Sequence, residues 1–166
     1  MPDQTTRLGL PLLSAGQAQK EIYHNEALTA IDLLLHGAVE DHDAETPPGT
    51  PGEGQCWILG ATPTGAWNGH AYDIAGWTGG GWRFISPRAG MALWSLGQGY
   101  YVSYDGSSWI AGILFAAAIH VGGVQVVGEQ QAAISSPSGG GVIDVEARTS
   151  LNQILTALRS HGLITA

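Results

Sequence analysis

The first fifty residues carry apolar positions at helical spacing. A capping-box pattern, Ser14-Ala15-Gly16-Gln17, precedes apolar residues that recur every three or four positions: Ala18, Ile22, Ala27, Leu28, Ile31, Leu34, Leu35 and Ala38. We therefore predict a helix with one buried face, which Gly37 either ends or weakens. The acidic stretch 40–45 is interpreted as a solvated loop. Segment 47–54 is also predicted to be a loop, because its three prolines and three glycines interrupt any regular ladder.

Short runs of β-forming residues separated by glycine turns occupy residues 55–111. The predicted strands are 55–59, 72–77, 82–85, 92–96 and 100–104, with a further strand starting at Trp109. The predicted turns are 78–81, 97–99 and 105–108, and the first of these is a four-residue hairpin loop. Regular short strands with glycine turns indicate an antiparallel meander or a small barrel.

The last part of the chain combines another β segment with a closing helix. Residues 119–127 alternate around Gly122 and Gly123, residues 130–135 are predicted to pair with them, and 142–145 form a short strand or an extended lead-in. A helix then begins at Thr149 or a neighbour, and Gly162 with Leu163 predicts a Schellman motif at its end. Its apolar face consists of Leu151, Ile154, Leu155 and Leu158. Because so short a helix is marginal alone, this face must pack against the β part or a neighbouring chain.

These patterns together predict an α+β fold, mainly a short-stranded antiparallel β meander or small barrel with an N-terminal and a C-terminal helix. Three segments are expected: an N-terminal arm and helix (1–45), a Trp- and Gly-rich β meander (46–111), and a C-terminal β segment with its closing helix (112–166). They form either one compact domain or a domain with an extended C-terminal part.

Composition and charge exclude several classes of protein. Among 166 residues there are 6 Lys and Arg against 14 Asp and Glu, a net charge of −8, so direct binding to nucleic acid is not expected. With 44% hydrophobic residues the chain is also too apolar to be disordered. The longest uncharged apolar stretch, 109–121, is too short to span a bilayer, and the N-terminus lacks the pattern of a signal peptide. We expect synthesis in the cytoplasm and no membrane insertion.

The polar residues form no recognisable catalytic or metal-binding motif. His24 and Glu26 lack a third ligand at helical spacing, while His36, His42 and Asp43 lie around the acidic stretch. Asp144 and Glu146 are interpreted as a polar lead-in to the last helix instead of paired catalytic carboxylates. No nucleophile elbow is present, and the lone cysteine, Cys56, is predicted to be a buried structural thiol. We therefore predict no catalytic residue, cofactor or metal, and no enzymatic activity.

The aromatic residues are the one feature of the meander with a functional alternative. Six tryptophans and four tyrosines lie between positions 57 and 109, and they form either the core of a small β domain or a surface that stacks on sugar rings. Because neighbours on a strand face opposite sides, at least one of Tyr100 and Tyr101 is expected outward or at an interface. The candidates for a glycan-binding or interface role are Trp67, Trp77, Tyr100, Tyr101 and Tyr104.

Two leucine-rich regions are candidate contacts with other protein chains. Leu8, Leu10 and Leu12 lie in the N-terminal arm, which contains Pro2 and Pro11 and little regular pattern, so we expect it to bind a neighbouring protein. In the closing helix the candidates are Leu151, Ile154 and Leu158. A homo-oligomer is therefore expected, with its symmetry left open.

Several runs of the sequence resemble an uncharacterised domain family of alphaproteobacterial prophages and gene transfer agents. They are 10–21 (LPLLSAGQAQKE), His24-Asn25-Glu26-Ala27-Leu28 with Asp32, 65–70 (GAWNGH), 74–77 (IAGW) and 81–84 (GWRF) with Pro87 and Gly90. A second block, 124–128, 131–134, 144–148 and 154–164, is similar to the C-terminal portion of phage-associated proteins. No catalytic residue set comes with this resemblance.

The resemblance implies a structural component on the exterior of a phage-like or gene transfer agent particle. The leading hypothesis is an oligomeric head-spike or tail-fibre base that anchors a host-attachment element and contacts capsid, spike or fibre proteins of the same particle. The alternative is a carbohydrate-binding module that contacts host capsule or a cell-surface glycan, and the two can coexist. A polysaccharide hydrolase would need two carboxylates about 5–10 Å apart, and no strong pair is found.

Overall fold

The α+β class expected from the sequence is confirmed by a computed structural model, which describes residues 4–14, 16, 20–142 and 144–165. Two compact units are present, Met1–Ile113 and Leu114–Ala166. The division into segments 1–45, 46–111 and 112–166 stays a prediction.

The described residues form two α-helices and ten strands in three sheets, none of which closes into a barrel. The helices are α1 (Lys20–Leu34) and α2 (Val145–Ser160). The strands are β1 (Ala38–Val39), β2 (Asp41–Ala44), β3 (Cys56–Leu59), β4 (Ile74–Thr78), β5 (Gly81–Ile85), β6 (Ala92–Ser95), β7 (Tyr100–Tyr104), β8 (Trp109–Ala111), β9 (Ile119–Val121) and β10 (Val124–Val127). A 3-10 helix spans Gly65–Trp67.

Helix α1 is the predicted N-terminal helix, with its first described turn at Lys20. Gln17, half of the predicted capping box, and Ala18 lie outside the described residues. The helix ends at Leu34, and Gly37 lies just beyond it, where a Cβ would collide with the side chain of Leu93. Gly37 therefore allows the chain to pass closely over β6 on its way into β1.

The first sheet has the order β2-β3-β4-β5, and its edge strand β2 was not predicted from the sequence. The acidic stretch predicted to be a loop contains β2, which pairs in parallel with β3. Asp41 and Asp43 face solvent on this edge strand, while His42 and Ala44 are half-buried. The prediction of a loop was wrong because it depended on the charge of the stretch alone. Side chains alternate along a strand, so an edge strand can carry acidic residues on one face. Such charges also discourage pairing with other chains.

The second sheet has the order β1-β6-β7-β8, with β6, β7 and β8 forming the predicted antiparallel meander. Its β6–β7 hairpin turns at Gly99, whose φ of 73° favours glycine. In the first sheet the β4–β5 hairpin is tighter than the predicted four-residue loop, because Thr78 and Gly81 already pair and leave only Gly79 and Gly80 between them.

Strand β3 separates the two hydrophobic cores of the larger unit. Cys56 and Ile58 pack on one side, in a cluster to which the second sheet contributes Leu93 and Val102. Trp57 and Leu59 point the other way, into a cluster with Trp67 and Ala75 that is bordered by Trp77, Trp82 and Phe84. Burying each of these side chains contributes about 1.5–3 kcal/mol to the free energy of unfolding. Packing in the second cluster explains most of the tryptophans.

The smaller unit contains the hairpin β9–β10, the helix α2 and the segment between them. Residues 130–135 were expected to pair with the hairpin, which is wrong: Gln131 instead forms a single parallel bridge with Ile164 near the C-terminus. Ile143 of the predicted lead-in lies outside the described residues.

Helix α2 begins earlier than predicted and ends as predicted. It starts at Val145 because Asp144 caps it, its carboxylate accepting a hydrogen bond from the Ala147 N–H at 2.8 Å, whereas Thr149 lies in the second turn. At the other end Gly162 has a φ of 69° and the Leu163 N–H donates to the Leu158 carbonyl at 2.9 Å. These two features confirm the Schellman motif.

Candidate interaction surfaces

Most of the predicted aromatic candidates are engaged inside the larger unit. Trp67 is 0% exposed and packs against Trp57 and Trp82 with ring centroids 6.0 and 5.2 Å apart, so it offers no face to a ligand. Trp77 is half-buried and lies edge-on to Trp82 at 4.9 Å. These residues form the core that the sequence analysis offered as one of two interpretations.

Tyr100 and Tyr104 are half-buried and face the interior side of the second sheet. Tyr100 lies edge-on to His42 at 6.0 Å, and Tyr104 packs on Trp109 at 5.2 Å. The indole N–H of Trp109 donates to the carbonyl of Tyr72 at 2.8 Å, which ties β8 to the loop before β4. Both tyrosines therefore hold parts of one unit together.

Tyr101 and Trp94 form an exposed aromatic pair on the outer face of the second sheet. Their residues are directly opposite in the β6–β7 register, with ring centroids 5.0 Å apart and planes at 78°. Tyr101 is 59% and Trp94 is 37% exposed. Small neighbours border them, since Ala38 pairs with Trp94 and the Gly112 N–H donates to the Tyr101 carbonyl.

Trp94 is absent from the predicted candidates, although the sequence contained a signal for it. Leu93 and Val102 are apolar, pair with each other and are buried. Because side chains alternate along a strand, their neighbours Trp94 and Tyr101 face outward. Aligning the two strands about the predicted turn 97–99 would have placed Trp94 beside Tyr101.

The loop between β3 and β4 carries a second cluster of aromatic and polar groups. The His70 imidazole stacks on Phe84 with centroids 3.5 Å apart and planes at 7°, and its Nδ1 lies 3.0 Å from the Asp73 carboxylate. Tyr72 has a φ of 65°, a strained conformation for a bulky residue. This loop covers the tryptophan core, because Trp67 comes from its 3-10 helix.

The described part of the N-terminal arm is folded back onto α1. The buried carboxylate of Asp32 accepts hydrogen bonds from the Thr5 hydroxyl at 2.7 Å, the Arg7 N–H at 3.0 Å and the Leu8 N–H at 2.6 Å. The Arg7 guanidinium also donates to the Leu33 carbonyl at 2.7 Å, near the helix C-terminus.

These contacts tie the described arm to its own helix, and its contact with a neighbouring protein stays a prediction. Asn25 holds the end of the arm through its side-chain amide, whose Oδ1 accepts from the Leu13 N–H at 2.9 Å and whose Nδ2 donates to the Leu13 carbonyl at 3.0 Å. Leu10 and Leu12 are half-buried and Leu8 is exposed. Of these three leucines, Leu8 is the most exposed, at 41%.

A bidentate ion pair joins α1 to β5. Arg83 donates to the two carboxylate oxygens of Glu26, each at 2.8 Å. The hydrogen bonds from Arg83 lower the pKa of Glu26, and the same contact raises the pKa of Arg83. The pair spans a region of the surface without closing a pocket.

The smaller unit exposes most of its apolar residues. In its described part, 114–142 and 144–165, only Leu155 and Ile164 are buried. Of the predicted contacts in α2, Leu151 and Ile154 are exposed and Leu158 is half-buried. The exposed set also includes Leu114, Phe115, Ile119, Val121, Val124, Val126, Val127, Ile134, Val142 and Val145.

The remaining candidate chemistry is structural. Cys56 is buried as predicted, and desolvation raises the pKa of its thiol to about 11. Among the described residues no group of His, Cys, Asp and Glu is arranged to hold a metal ion. Within the same residues, no helix has the length and apolar character needed to cross a bilayer.

Comparison with known sequences gives a family and no function. No curated protein matches the sequence. Residues 24–110 match the family model described as a protein of unknown function, DUF2793, and this region runs from the middle of α1 to the middle of β8. Since the match covers more than half of the chain, the protein belongs to the DUF2793 family.

Proposed function

We propose that the protein is an oligomeric structural component of a phage-like or gene transfer agent particle, a head-spike or fibre base that anchors a host-attachment element. The observation that carries this proposal is the apolar surface of the smaller unit. Its exposed side chains include whole strands and one side of α2, which is more than the scattered apolar residues of an ordinary monomer surface.

The energetics of this unit favour an assembly. Among its described residues only two apolar side chains are buried, Leu155 and Ile164. Burial of apolar surface is the main favourable contribution to folding. A further surface that covers the exposed apolar side chains would therefore stabilise the unit, as the subunits of an obligate oligomer do for each other.

The particle context comes from the resemblance of the N-terminal and C-terminal runs to prophage and gene transfer agent proteins. The acidic character of the chain supports a place on the exterior of the particle, since a net charge of −8 repels packaged DNA. Capsid, spike or fibre proteins of the same particle are the proposed partners. A structural role also fits the polar groups, because Asp32, Glu26 and Arg83 serve to hold elements together.

A strain that lacks this gene tests the particle role. Micrographs of purified particles are expected to show intact heads and tails without one visible appendage, and attachment to host cells is expected to fall. Complementation with the wild-type gene serves as the control. Unchanged appendages together with unchanged attachment would reject the proposal.

A second candidate function, carbohydrate binding, is favoured by the Trp94–Tyr101 pair. Exposed aromatic rings can stack on sugar rings, and the neighbouring Ala38 and Gly112 leave room beside them. Glycan arrays with wild-type protein and the Trp94→Ala and Tyr101→Ala variants test it. Tyr23→Ala is the matched control, because Tyr23 is an exposed aromatic residue on α1. Binding that survives both sheet variants would exclude this site.

A further inference from the structure

The β9–β10 hairpin has one apolar face that the described residues of the smaller unit leave exposed. Val121 pairs with Val124, and Ile119 pairs with Val127 after a register shift between Gln125 and Val127, so cross-strand pairing places these four side chains on the same side. We call them the hairpin face. Val121 is 64% and Val124 is 67% exposed, and the other two are also exposed.

The opposite side of the hairpin is polar. His120 and Gln125 are paired directly across the two strands, one residue away from Val121 and Val124 respectively. An amphipathic two-stranded sheet is stable when its apolar side packs on another layer, and an isolated hairpin is marginal in water. The pattern therefore belongs to a sheet with one covered side.

The hairpin is a defined element and not an irregular connection. Gly122 and Gly123 both have positive φ, 58° and 82°, as the two central residues of a type I′ turn require. That turn matches the twist of the flanking strands and sets the pairing of Val121 with Val124, and the register shift after Gln125 brings Val127 opposite Ile119. The hairpin face is consequently preorganised before any partner arrives.

The charge distribution favours a second copy of the chain as the occupant. No Asp, Glu, Lys or Arg occurs between Asp105 and Glu129, although the chain carries a net charge of −8. Two copies therefore repel each other least where this segment meets its counterpart. The absence of Lys and Arg in the same segment disfavours an anionic membrane as the partner.

We propose that the hairpin face packs against the hairpin face of a second copy, as an isologous layer that joins the two smaller units. This inference rests on the proposed function, which requires an oligomer. It adds which surface forms the contact, the hairpin face, and which partner covers it, a second copy of the chain. Each copy then supplies the layer that the other hairpin lacks, and the polar side with His120 and Gln125 stays in solvent.

A matched pair of substitutions tests the packing in the full chain. Val124→Lys places an ammonium in the centre of the hairpin face, while Gln125→Lys makes the same change of charge one residue away on the polar side. Native mass spectrometry and light scattering over a concentration series report the dissociation constant. We expect Val124→Lys to raise it at least about tenfold, since an unpaired charge would be buried, and Gln125→Lys to leave it nearly unchanged.

Folding of the variants is checked for each unit. All six tryptophans lie in the Met1–Ile113 unit, so their fluorescence reports whether that unit is intact. Far-UV circular dichroism includes the helix α2 and reports whether the smaller unit keeps its helix content. Val124→Thr keeps a β-branched residue and loses only apolar contact, so it is expected to weaken the oligomer less than Val124→Lys does.

Three results would overturn the inference: a monomeric wild type at all concentrations, an unchanged dissociation constant for Val124→Lys, or equal weakening by Gln125→Lys. Flotation of wild-type protein with phosphatidylcholine vesicles, lost in Val124→Lys, would also overturn it by assigning the face to a lipid surface.

If Val124→Lys still oligomerises and is still incorporated into particles, the hairpin inference fails and the proposed function stands. If the hairpin packs as proposed but deletion of the gene leaves particles unchanged, the proposed function fails instead.

Discussion

Strand β3 and the β9–β10 hairpin have similarly apolar sequences and opposite surroundings. All four residues of β3 are buried, whereas every strand residue of the hairpin is exposed. β3 has a neighbouring strand on each side and packed side chains on both faces, while β9 and β10 pair only with each other. An apolar sequence pattern therefore shows which side chains favour burial, but it does not show whether the same chain or another copy covers them.

The largest expected effect is the loss of a side chain from β3. Ile58→Ala is expected to lower the free energy of unfolding by about 2–5 kcal/mol, because it removes fully buried contacts and leaves a cavity. Val124→Ala in the hairpin is the matched control, and in the dissociated chain its effect is expected to stay within about 0.5 kcal/mol. Denaturant unfolding followed by tryptophan fluorescence measures the effect of Ile58→Ala, and far-UV circular dichroism, which includes the smaller unit, measures both. Equal effects would remove the distinction between the two regions.

The next effect concerns the N-terminal arm. Asp32→Ala removes the acceptor of three hydrogen bonds and is expected to cost about 2–4 kcal/mol, less than their sum because the freed arm can bind water. Trypsin is then expected to cleave after Arg7 faster than in the wild type. Asp41→Ala is the control, since Asp41 is exposed on the edge strand β2. Unchanged cleavage would show that Asp32 does not hold the arm.

A smaller effect is expected from the Glu26–Arg83 pair. Glu26→Gln is expected to cost about 0.5–1 kcal/mol near neutral pH, a value reduced because both side chains are partly exposed. Thermal unfolding of the variant and the wild type at the same pH measures it.

The same pair predicts a dependence on pH with a definite sign. Arg83 lowers the pKa of Glu26 in the folded chain, so its stabilisation is complete above the unfolded value near 4.5 and is lost as the pH falls through the lower folded value. The stability difference between wild type and Glu26→Gln is therefore expected to shrink in acid. A difference that grows as the pH falls would contradict the assignment.

The smallest effect is kinetic and concerns Cys56. Burial raises the pKa of its thiol to about 11, so little thiolate is present at pH 8 and labelling by iodoacetamide is expected to be much slower than in the unfolded chain. Because the raised pKa favours the neutral thiol, its contribution to stability is present below the unfolded pKa and is lost as the pH rises through about 11. Equally fast labelling in native and denatured protein would contradict the buried position.

Local signals predicted most of the fold, and pairing over long distances explains what they missed. The glycine turns of the meander and the Schellman motif at Gly162 are local, and both are present. The strand character of Asp41–Ala44 depends on pairing with β3 more than ten residues away, so its acidic sequence alone indicated a loop. Likewise, Gln131 bridges to Ile164 across α2, a contact that no local pattern contains.

The candidate surfaces were only partly predictable for the same reason. Alternation correctly required one of Tyr100 and Tyr101 to face outward, but the choice of Tyr101 depends on the register with β6. Trp67 was offered as a ligand contact because its loop gives no burial signal, whereas the structure places it in the core beneath that loop. Leu151 and Ile154 were identified from helical spacing. This spacing shows that they share an apolar helix face, but it does not show what packs against that face.

Hydrogen exchange of the full chain at low and high protein concentration distinguishes a hairpin covered by a second copy from one that stays in solvent. We expect amides of β9 and β10 to become more protected as the concentration rises, because a second copy covers the hairpin face, while amides of β3 stay equally protected throughout. Fast exchange of the hairpin at every concentration, with β3 protected as before, would contradict the claim that the smaller unit is an assembly surface.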